Sequence, residues 1–192
     1  MKKIALYFGS YNPIHVGHLM VAEYIVENTD VDQLWFVISP SSPFKKNDRL
    51  LQASQRYYMV QVAIEDDPRF KACDVEFKLP YPTYTAVTLE KLSEKYPDYQ
   101  FVIVMGADNL ENFERWKNYE YILEHYQIYV YPRLGYNPTP LEKHPSVVMI
   151  SAPQIEISAS MIRNSIRENR GVTYFLPPKV KDYIEKMDLY KK

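Results

Sequence analysis

Short, uninterrupted apolar runs recur along this chain of 192 residues, and most are followed by a stretch with helical periodicity. The most continuous runs span residues 3–8, 34–38, 101–105 and 128–131. They lack the polar and apolar alternation of a strand with one wet face, so each fits a parallel strand covered by helices on both sides. Strands that alternate with helices predict a doubly wound α/β fold with a mostly parallel sheet. Ligands of such a fold bind at the carboxyl ends of the strands.

The remaining elements follow weaker patterns. Strands are predicted at 70–77 and 147–150, and helices at about 54–66, 85–95 and 178–186, with short helices between 107 and 125 and another helix from near 158. No linker, repeat or low-complexity tract interrupts them, and the length fits a single domain. We therefore expect one domain over residues 1–192, with residues 155–192 as a helical C-terminal subdomain.

Charge balance and cysteine content limit the classes of protein that this chain can represent. Its 23 basic and 24 acidic residues give a net charge of −1, so no global positive field favours nucleic acid or a membrane as a partner. The single cysteine, Cys73, cannot form an intramolecular disulfide, which is typical of a reducing compartment. The N-terminal apolar stretch is too short for a signal peptide, and no run approaches the ~18 residues of a membrane span. A cytoplasmic protein is expected.

The loop after the first predicted strand carries the first candidate site. Gly9 gives a ligand room at the strand end, Pro13 stiffens the loop, and His15 and His18 flank Gly17 where a helix begins. Free backbone N–H groups and the helix dipole favour an anion at this place, and a bound phosphate would in turn favour protonated histidine. The pair therefore suits a polyphosphate. A capping or core role and metal binding remain alternatives for these histidines.

A second candidate lies near the C-terminus, where Ser158, Ser160 and Arg163 occupy the start of a predicted helix. Taken alone, Ser158 could be an ordinary N-cap and Arg163 a solvated charge. Together with the first loop, both elements place N–H donors and cationic side chains at the same edge of the sheet. An arginine fork also matches the oxygens of a phosphate.

These two motifs resemble those of a known superfamily. An HxGH loop after the first strand, followed near the C-terminus by Ile-Ser-x-Ser-x-Ile-Arg, is similar to the α/β phosphodiesterase type of nucleotidyltransferase. Within it, the segments 84–89, 105–108 and 131–133 together with Trp116 resemble the bacterial nicotinate-nucleotide adenylyltransferases. The resemblance runs from about residue 3 to 185. It implies a Rossmann-like doubly wound sheet with C-terminal helices.

The resemblance also implies an activity and a set of roles. The adenylyl group of ATP would pass to nicotinate mononucleotide, in NAD biosynthesis, with Mg²⁺ accompanying ATP and no metal ligand assigned to the protein. The catalytic residues would be His15, His18, Lys45 and Arg163. The residues that bind ATP would be Gly9, Ser10, Tyr11, Gly17, Gly106, Asp108, Ile157, Ser158 and Ser160. Those that bind nicotinate mononucleotide would be Thr83, Tyr84, Thr85 and Trp116.

The sequence departs from the family pattern at four positions and leaves other interpretations open. Tyr11 and Asn12 stand where the family more often has Phe-Asp, Phe44 where histidine is common, and Ala159 where serine is usual. Core packing for Trp116, helix capping for Thr85 and a solvated charge for Lys45 are the alternatives for single residues. For the whole chain they are a relative that adenylylates another acceptor, such as phosphopantetheine, and a nucleotide-binding regulatory module. The sequence leaves open whether the protein forms a homo-oligomer.

Overall fold

The computed structural model describes residues 1–40 and 50–191 and contains a six-stranded parallel sheet in the order β3-β2-β1-β4-β5-β6. The strands are β1 Lys2–Gly9, β2 Gln33–Ile38, β3 Phe70–Cys73, β4 Tyr99–Gly106, β5 Gln127–Tyr131 and β6 Val147–Met149. Because the strand order turns back between β1 and β4, their carboxyl ends flank the crevice where such sheets bind ligands. The predicted fold class is confirmed. Lys45 and Phe44 lie outside the described residues.

Helices cover both faces of the sheet. They are α1 Val16–Asn28, α2 Ala53–Ile64, α3 Thr85–Lys95, α4 Ala107–Leu110, α5 Tyr119–His125, α6 Ala159–Arg167 and α7 Pro178–Lys186. Alternate residues of β1 enter opposite clusters, since Ala5 packs with α1, α2, α6 and α7, whereas Leu6 packs with α3, α4 and α5. Both faces are therefore apolar, which accounts for the continuous runs. Within the described ranges, no helix is long and apolar enough to cross a membrane.

The segment after β3 differs from its predicted structure. A strand over 70–77 is wrong beyond Cys73, because Val75–Lys78 forms a 3₁₀ helix. Glu76 is the reason that the structure offers: its carboxylate is buried and accepts a hydrogen bond from the Thr88 hydroxyl in α3 at 2.9 Å. The turn brings this side chain under α3, which an extended strand in the sheet would not do. Cys73 itself is buried and lies in β3.

Candidate active site

The two histidines of the first loop lie against each other where α1 begins. His15 is the residue before α1, and its ring stacks on that of His18 with 3.7 Å between ring centroids. The backbone N–H of His15 donates to His18 Nδ1 at 3.3 Å. Because Nδ1 accepts this bond, the proton of a neutral His18 sits on Nε2. Gly17 gives the His15 ring room, since a Cβ at this position would lie 3.0 Å from Nδ1 of His15, a tight contact.

Burial keeps both imidazoles neutral when no ligand is present. Desolvation, with the nearby Arg133 charge, lowers the pKa of His15 to about 4. Desolvation also lowers the pKa of His18, and the charges of His15 and Arg133 lower it further. A neutral imidazole still keeps one N–H donor for a phosphate oxygen. A bound polyphosphate would raise both pKa values, because a negative charge favours the protonated form.

The sequence did not single out Arg133 as a site residue, yet it belongs to this group. Its side chain lines the small cavity that His15, His18 and Ile157 also line. Its guanidinium lies 5.6 Å from the centre of the Tyr131 ring. The available signal was its position two residues after the end of β5, at the ligand-binding edge of the sheet.

Tyr11 serves the architecture of the loop through its side chain. Its ring is 1% exposed, and its hydroxyl donates to the carbonyl of Tyr7 at 2.5 Å. The ring also meets that of His18 edge to face, with 5.1 Å between centroids. Gly9 allows this packing, because a Cβ there would lie 2.8 Å from the Tyr11 ring. Only the backbone of Tyr11 is left for the predicted contact with ATP. The carbonyl of Ser10 accepts from Arg56.

The start of α6 joins the first loop. Arg163 is 6% exposed, so its interpretation as a solvated charge is wrong. It donates to the carbonyl of Asn12 at 2.9 Å and to the Ser160 hydroxyl at 3.1 Å. Ser158 is the N-cap of α6 and accepts from the backbone N–H of Met161 at 3.2 Å. Two segments far apart in the chain thus meet at one edge, as predicted.

Gly106 and Asp108 lie at the end of β4, beside the first loop. A Cβ at Gly106 would lie 2.3 Å from Oδ1 of Asp108, so a larger residue here would displace this carboxylate. The Asp108 side chain is half exposed, and its Oδ1 is 3.6 Å from Nε of Arg133. The carboxylate therefore points from the rim of the crevice toward solvent, within reach of a ligand.

The predicted acceptor residues form a second group. Thr85 is the first residue of α3, and no acidic side chain lies in that first turn. Thr83 is buried, and its hydroxyl donates to Glu76 at 3.3 Å, so this hydroxyl faces away from the crevice. Trp116 is partly buried and packs on Phe113 with 5.1 Å between ring centroids.

A cation holds the two acceptor segments together. Nζ of Lys117 lies 4.4 Å from the centre of the Tyr84 ring, a distance at which an ammonium group is attracted to the ring face. The segment before α3 and the segment that contains Trp116 are thus neighbours in space. Sequence reasoning did not single out Lys117.

The described side chains do not fit a resident magnesium ion. Across residues 1–40 and 50–191, no group of three or more histidine, cysteine or acidic side chains could hold a metal. In the first loop the amide oxygen of Asn12 is already engaged, since Oδ1 accepts from the Tyr190 hydroxyl at 2.8 Å. Magnesium prefers oxygen ligands and usually keeps waters and substrate phosphates. No step is derived through such an ion.

Comparison with known proteins identifies the family. The sequence matches the model of the cytidylyltransferase-like family over residues 6–165. A curated relative from Flavobacterium johnsoniae, named "Probable nicotinate-nucleotide adenylyltransferase", is 51% identical over 192 residues, which cover 99% of this chain and 100% of that protein. The chain belongs to the nicotinate-nucleotide adenylyltransferases of this family. A relative of the same name from Cytophaga hutchinsonii is 47% identical over 182 residues, 95% of each chain.

The fold of this nicotinate-nucleotide adenylyltransferase family member also has solved counterparts. The nicotinic acid mononucleotide adenylyltransferase of Plasmodium falciparum, complexed with NaAD, superposes with a TM-score of 0.82. The superposition covers 99% of this chain and 98% of that chain at 23% sequence identity, which shows the shared fold alone. The family and the α/β nucleotidyltransferase fold predicted from the sequence are both confirmed.

Proposed function

We propose that this protein transfers the adenylyl group of ATP to nicotinate mononucleotide, which gives nicotinate adenine dinucleotide and pyrophosphate in NAD biosynthesis. The observation that carries the proposal is the stacked pair His15 and His18 at the start of α1. Arg133 lines the same small cavity as this pair, and Arg163 donates to the carbonyl of Asn12 in the same loop. Membership of the nicotinate-nucleotide adenylyltransferases supports the same reaction.

The reaction needs no nucleophile from the protein. A 5'-phosphate oxygen of nicotinate mononucleotide attacks the α-phosphorus of ATP, a P–O bond to the acceptor forms, and the bond to the leaving pyrophosphate breaks. Alignment of the two nucleotides in line can supply ~7 to 11 kcal/mol of the barrier reduction. Nε2 of His18 and the guanidinium groups of Arg133 and Arg163 are the donors that would stabilise charge on the pyrophosphate. Mg²⁺ enters as the ATP complex and is treated as part of the substrate.

The second group of residues accounts for the acceptor ring. The first N–H groups of a helix have no partner within the helix, so α3 presents donors and a favourable dipole at Thr85. A carboxylate would accept from these donors, whereas the NH₂ of an amide would oppose them. The difference is worth ~2 to 4 kcal/mol, or ~30- to 1,000-fold in kcat/KM. Trp116 would stack on the pyridine ring and contribute affinity without this selectivity.

Two further proposals concern the setting of the enzyme. A cytoplasmic location is supported by the single, buried Cys73, which is typical of reducing compartments. With a net charge of −1, we expect small anionic substrates to be held by local sites, with no need for a nucleic acid or membrane partner. A defined oligomeric state is not part of the proposal.

The deciding experiment supplies the purified protein with MgATP and one acceptor at a time. With nicotinate mononucleotide we expect equal amounts of dinucleotide and pyrophosphate. With nicotinamide mononucleotide we expect kcat/KM to be at least ~30-fold lower, and with phosphopantetheine no product. Pyrophosphate release with phosphopantetheine alone would identify the other type of adenylyltransferase. Tight ATP binding without turnover on any acceptor would identify a regulatory module.

A further inference from the structure

Glu76 is a buried carboxylate in the 3₁₀ helix between β3 and α3. The residue is 3% exposed. Among the described residues no lysine or arginine forms an ion pair with it, and its hydrogen-bond donors are hydroxyl groups. Oε1 accepts from Thr88 at 2.9 Å and Oε2 accepts from Thr83 at 3.3 Å. The Ser39 hydroxyl also favours the charged form of this carboxylate and lowers its pKa.

The two threonines lie on either side of the start of α3. Thr83 precedes the helix, and Thr88 is in its first turn, where the Thr88 hydroxyl also contacts the carbonyl of Tyr84 at 3.3 Å. A single carboxylate thus holds the chain before and after Thr85. This fixes the direction in which the free N–H groups at the helix start point, because both flanking residues are bound to one rigid, buried group.

Ser39, whose hydroxyl lowers the pKa of Glu76, also contacts the first loop. Ser39 follows β2, and its N–H donates to the carbonyl of Gly9 at 3.0 Å. Its carbonyl accepts from Arg56 at 2.8 Å, and the same guanidinium nitrogen donates to the carbonyl of Ser10. Arg56 has no exposed surface and also binds the carbonyls of Leu51 and Pro40. Ser39 is therefore itself held against the first loop.

Burying the Glu76 carboxylate costs desolvation free energy. Burial raises the pKa of Glu76, and three hydroxyl bonds oppose the rise. An apolar side chain would fill the volume without the cost of removing a carboxylate from water. The group therefore needs a reason other than packing.

We propose that Glu76 is a positioning residue, which orients the start of α3 toward the carboxylate of nicotinate mononucleotide and away from the neutral amide. This inference rests on the proposed function. It adds to it a residue that touches neither substrate and acts through Thr83 and Thr88. Removal of the carboxylate should misalign the N–H groups at the start of α3. Binding of nicotinate mononucleotide should therefore weaken, while binding of ATP stays unchanged.

The test compares three variants with the wild-type enzyme. Glu76→Met removes every acceptor at similar length, Glu76→Gln keeps one acceptor oxygen, and Thr88→Val removes one donor. For Glu76→Met we expect KM for nicotinate mononucleotide to rise on the order of tenfold, with KM for ATP within about twofold. The ratio of kcat/KM for the nicotinate over the nicotinamide mononucleotide should fall by a similar factor. Glu76→Gln should restore part of both losses, and Thr88→Val should reproduce them more weakly.

Asp30→Asn is the matched control at the opposite end of the sheet, where Asp30 binds Lys3 and Tyr129. It should lower the melting temperature without changing either KM or the acceptor ratio. Equal rises in both KM values, or a loss of melting temperature with an unchanged acceptor ratio, would overturn the proposal. If Glu76→Met does not fold, Thr88→Val decides by the same two measurements, the KM for each substrate and the acceptor ratio.

The result separates this inference from the proposed function. A wild-type enzyme that makes no dinucleotide from nicotinate mononucleotide contradicts the proposed function, whatever Glu76 does. A wild-type enzyme that makes it with high selectivity, combined with unchanged selectivity in the Glu76 and Thr88 variants, contradicts only the positioning role.

Discussion

The proposed ATP side of the crevice, formed by the first loop and the start of α6, and the proposed acceptor side, formed by the start of α3 and the segment around Trp116, differ in how fully their buried polar groups are hydrogen-bonded. In the described chain, the buried side-chain atoms without a hydrogen-bond partner are Nδ2 of Asn12 and Nδ1 of His15, both in the first loop. On the acceptor side, the buried carboxylate of Glu76 has all its bonds made within the protein. An unpaired buried polar group costs ~1 to 3 kcal/mol. The first loop thus keeps buried polar atoms without a partner, whereas the buried carboxylate beside α3, in our proposal, orients that helix through bonds that are already made.

The largest effect should follow from removal of an imidazole on the ATP side. His18→Ala should lower kcat by at least ~100-fold, because its Nε2 contact strengthens as charge moves onto pyrophosphate. Steady-state kinetics and circular dichroism of the same sample check this. A folded variant with nearly normal kcat would remove His18 from catalysis and weaken the contrast between the two sides.

A smaller loss should follow from Arg163→Lys. Lysine keeps the charge but cannot bond the Asn12 carbonyl, the Ser160 hydroxyl and a phosphate with one planar fork. We expect a loss in kcat/KM for ATP on the order of tenfold, with the acceptor KM unchanged. Arg167→Lys, on the more exposed end of the same helix, is the control and should behave as wild type. Full activity of the Arg163 variant would contradict a directional role for this guanidinium.

Trp116→Ala tests the acceptor side in the opposite direction. If the indole only stacks, KM should rise on the order of tenfold for both the nicotinate and the nicotinamide mononucleotide, with their ratio unchanged. Isothermal titration with each mononucleotide measures this directly. A change in the ratio would show that Trp116 contributes to selectivity, which we assign to the start of α3.

Another effect concerns the pH dependence of stability. The pKa of His15 is about 4 in the folded protein and ~6.5 in an unfolded chain, so below pH ~6.5 the unfolded state binds more protons. The stability from this group is therefore fully present above pH ~6.5 and is lost as the pH falls toward 4, by up to ~3 kcal/mol. Urea midpoints at pH 7 and pH 4.5 should differ less in His15→Asn than in wild type.

The same histidines should link ATP binding to protons. A bound triphosphate should raise the pKa values of both histidines. Binding of ATP near pH 6 should therefore be accompanied by proton uptake by these histidines, which calorimetry in buffers of different ionisation enthalpy can detect. Proton uptake that is unchanged in His15→Asn would show that other groups titrate.

The difference between the two sides also explains which parts could be predicted from sequence. The HxGH loop and the start of α6 are short motifs, and the structure brings them together as expected. The buried strands were predictable because they are continuous apolar runs, in which every residue has the same buried environment. Glu76, Arg56 and Lys117 gave no such signal, since each is a single polar residue whose partners lie elsewhere in the chain. The strand predicted over 70–77 failed for this reason.

The bond between Asn12 and Tyr190 has a consequence for how the enzyme is made. It closes a separation of 178 residues, and both ends of it are buried. Synthesis adds ~5 to 20 residues per second, so Asn12 waits on the order of ten seconds or more for its partner to leave the ribosome. The first loop is among the first parts of the enzyme to be translated. It is among the last to be completed, and a nascent chain held on the ribosome cannot yet have a finished ATP site.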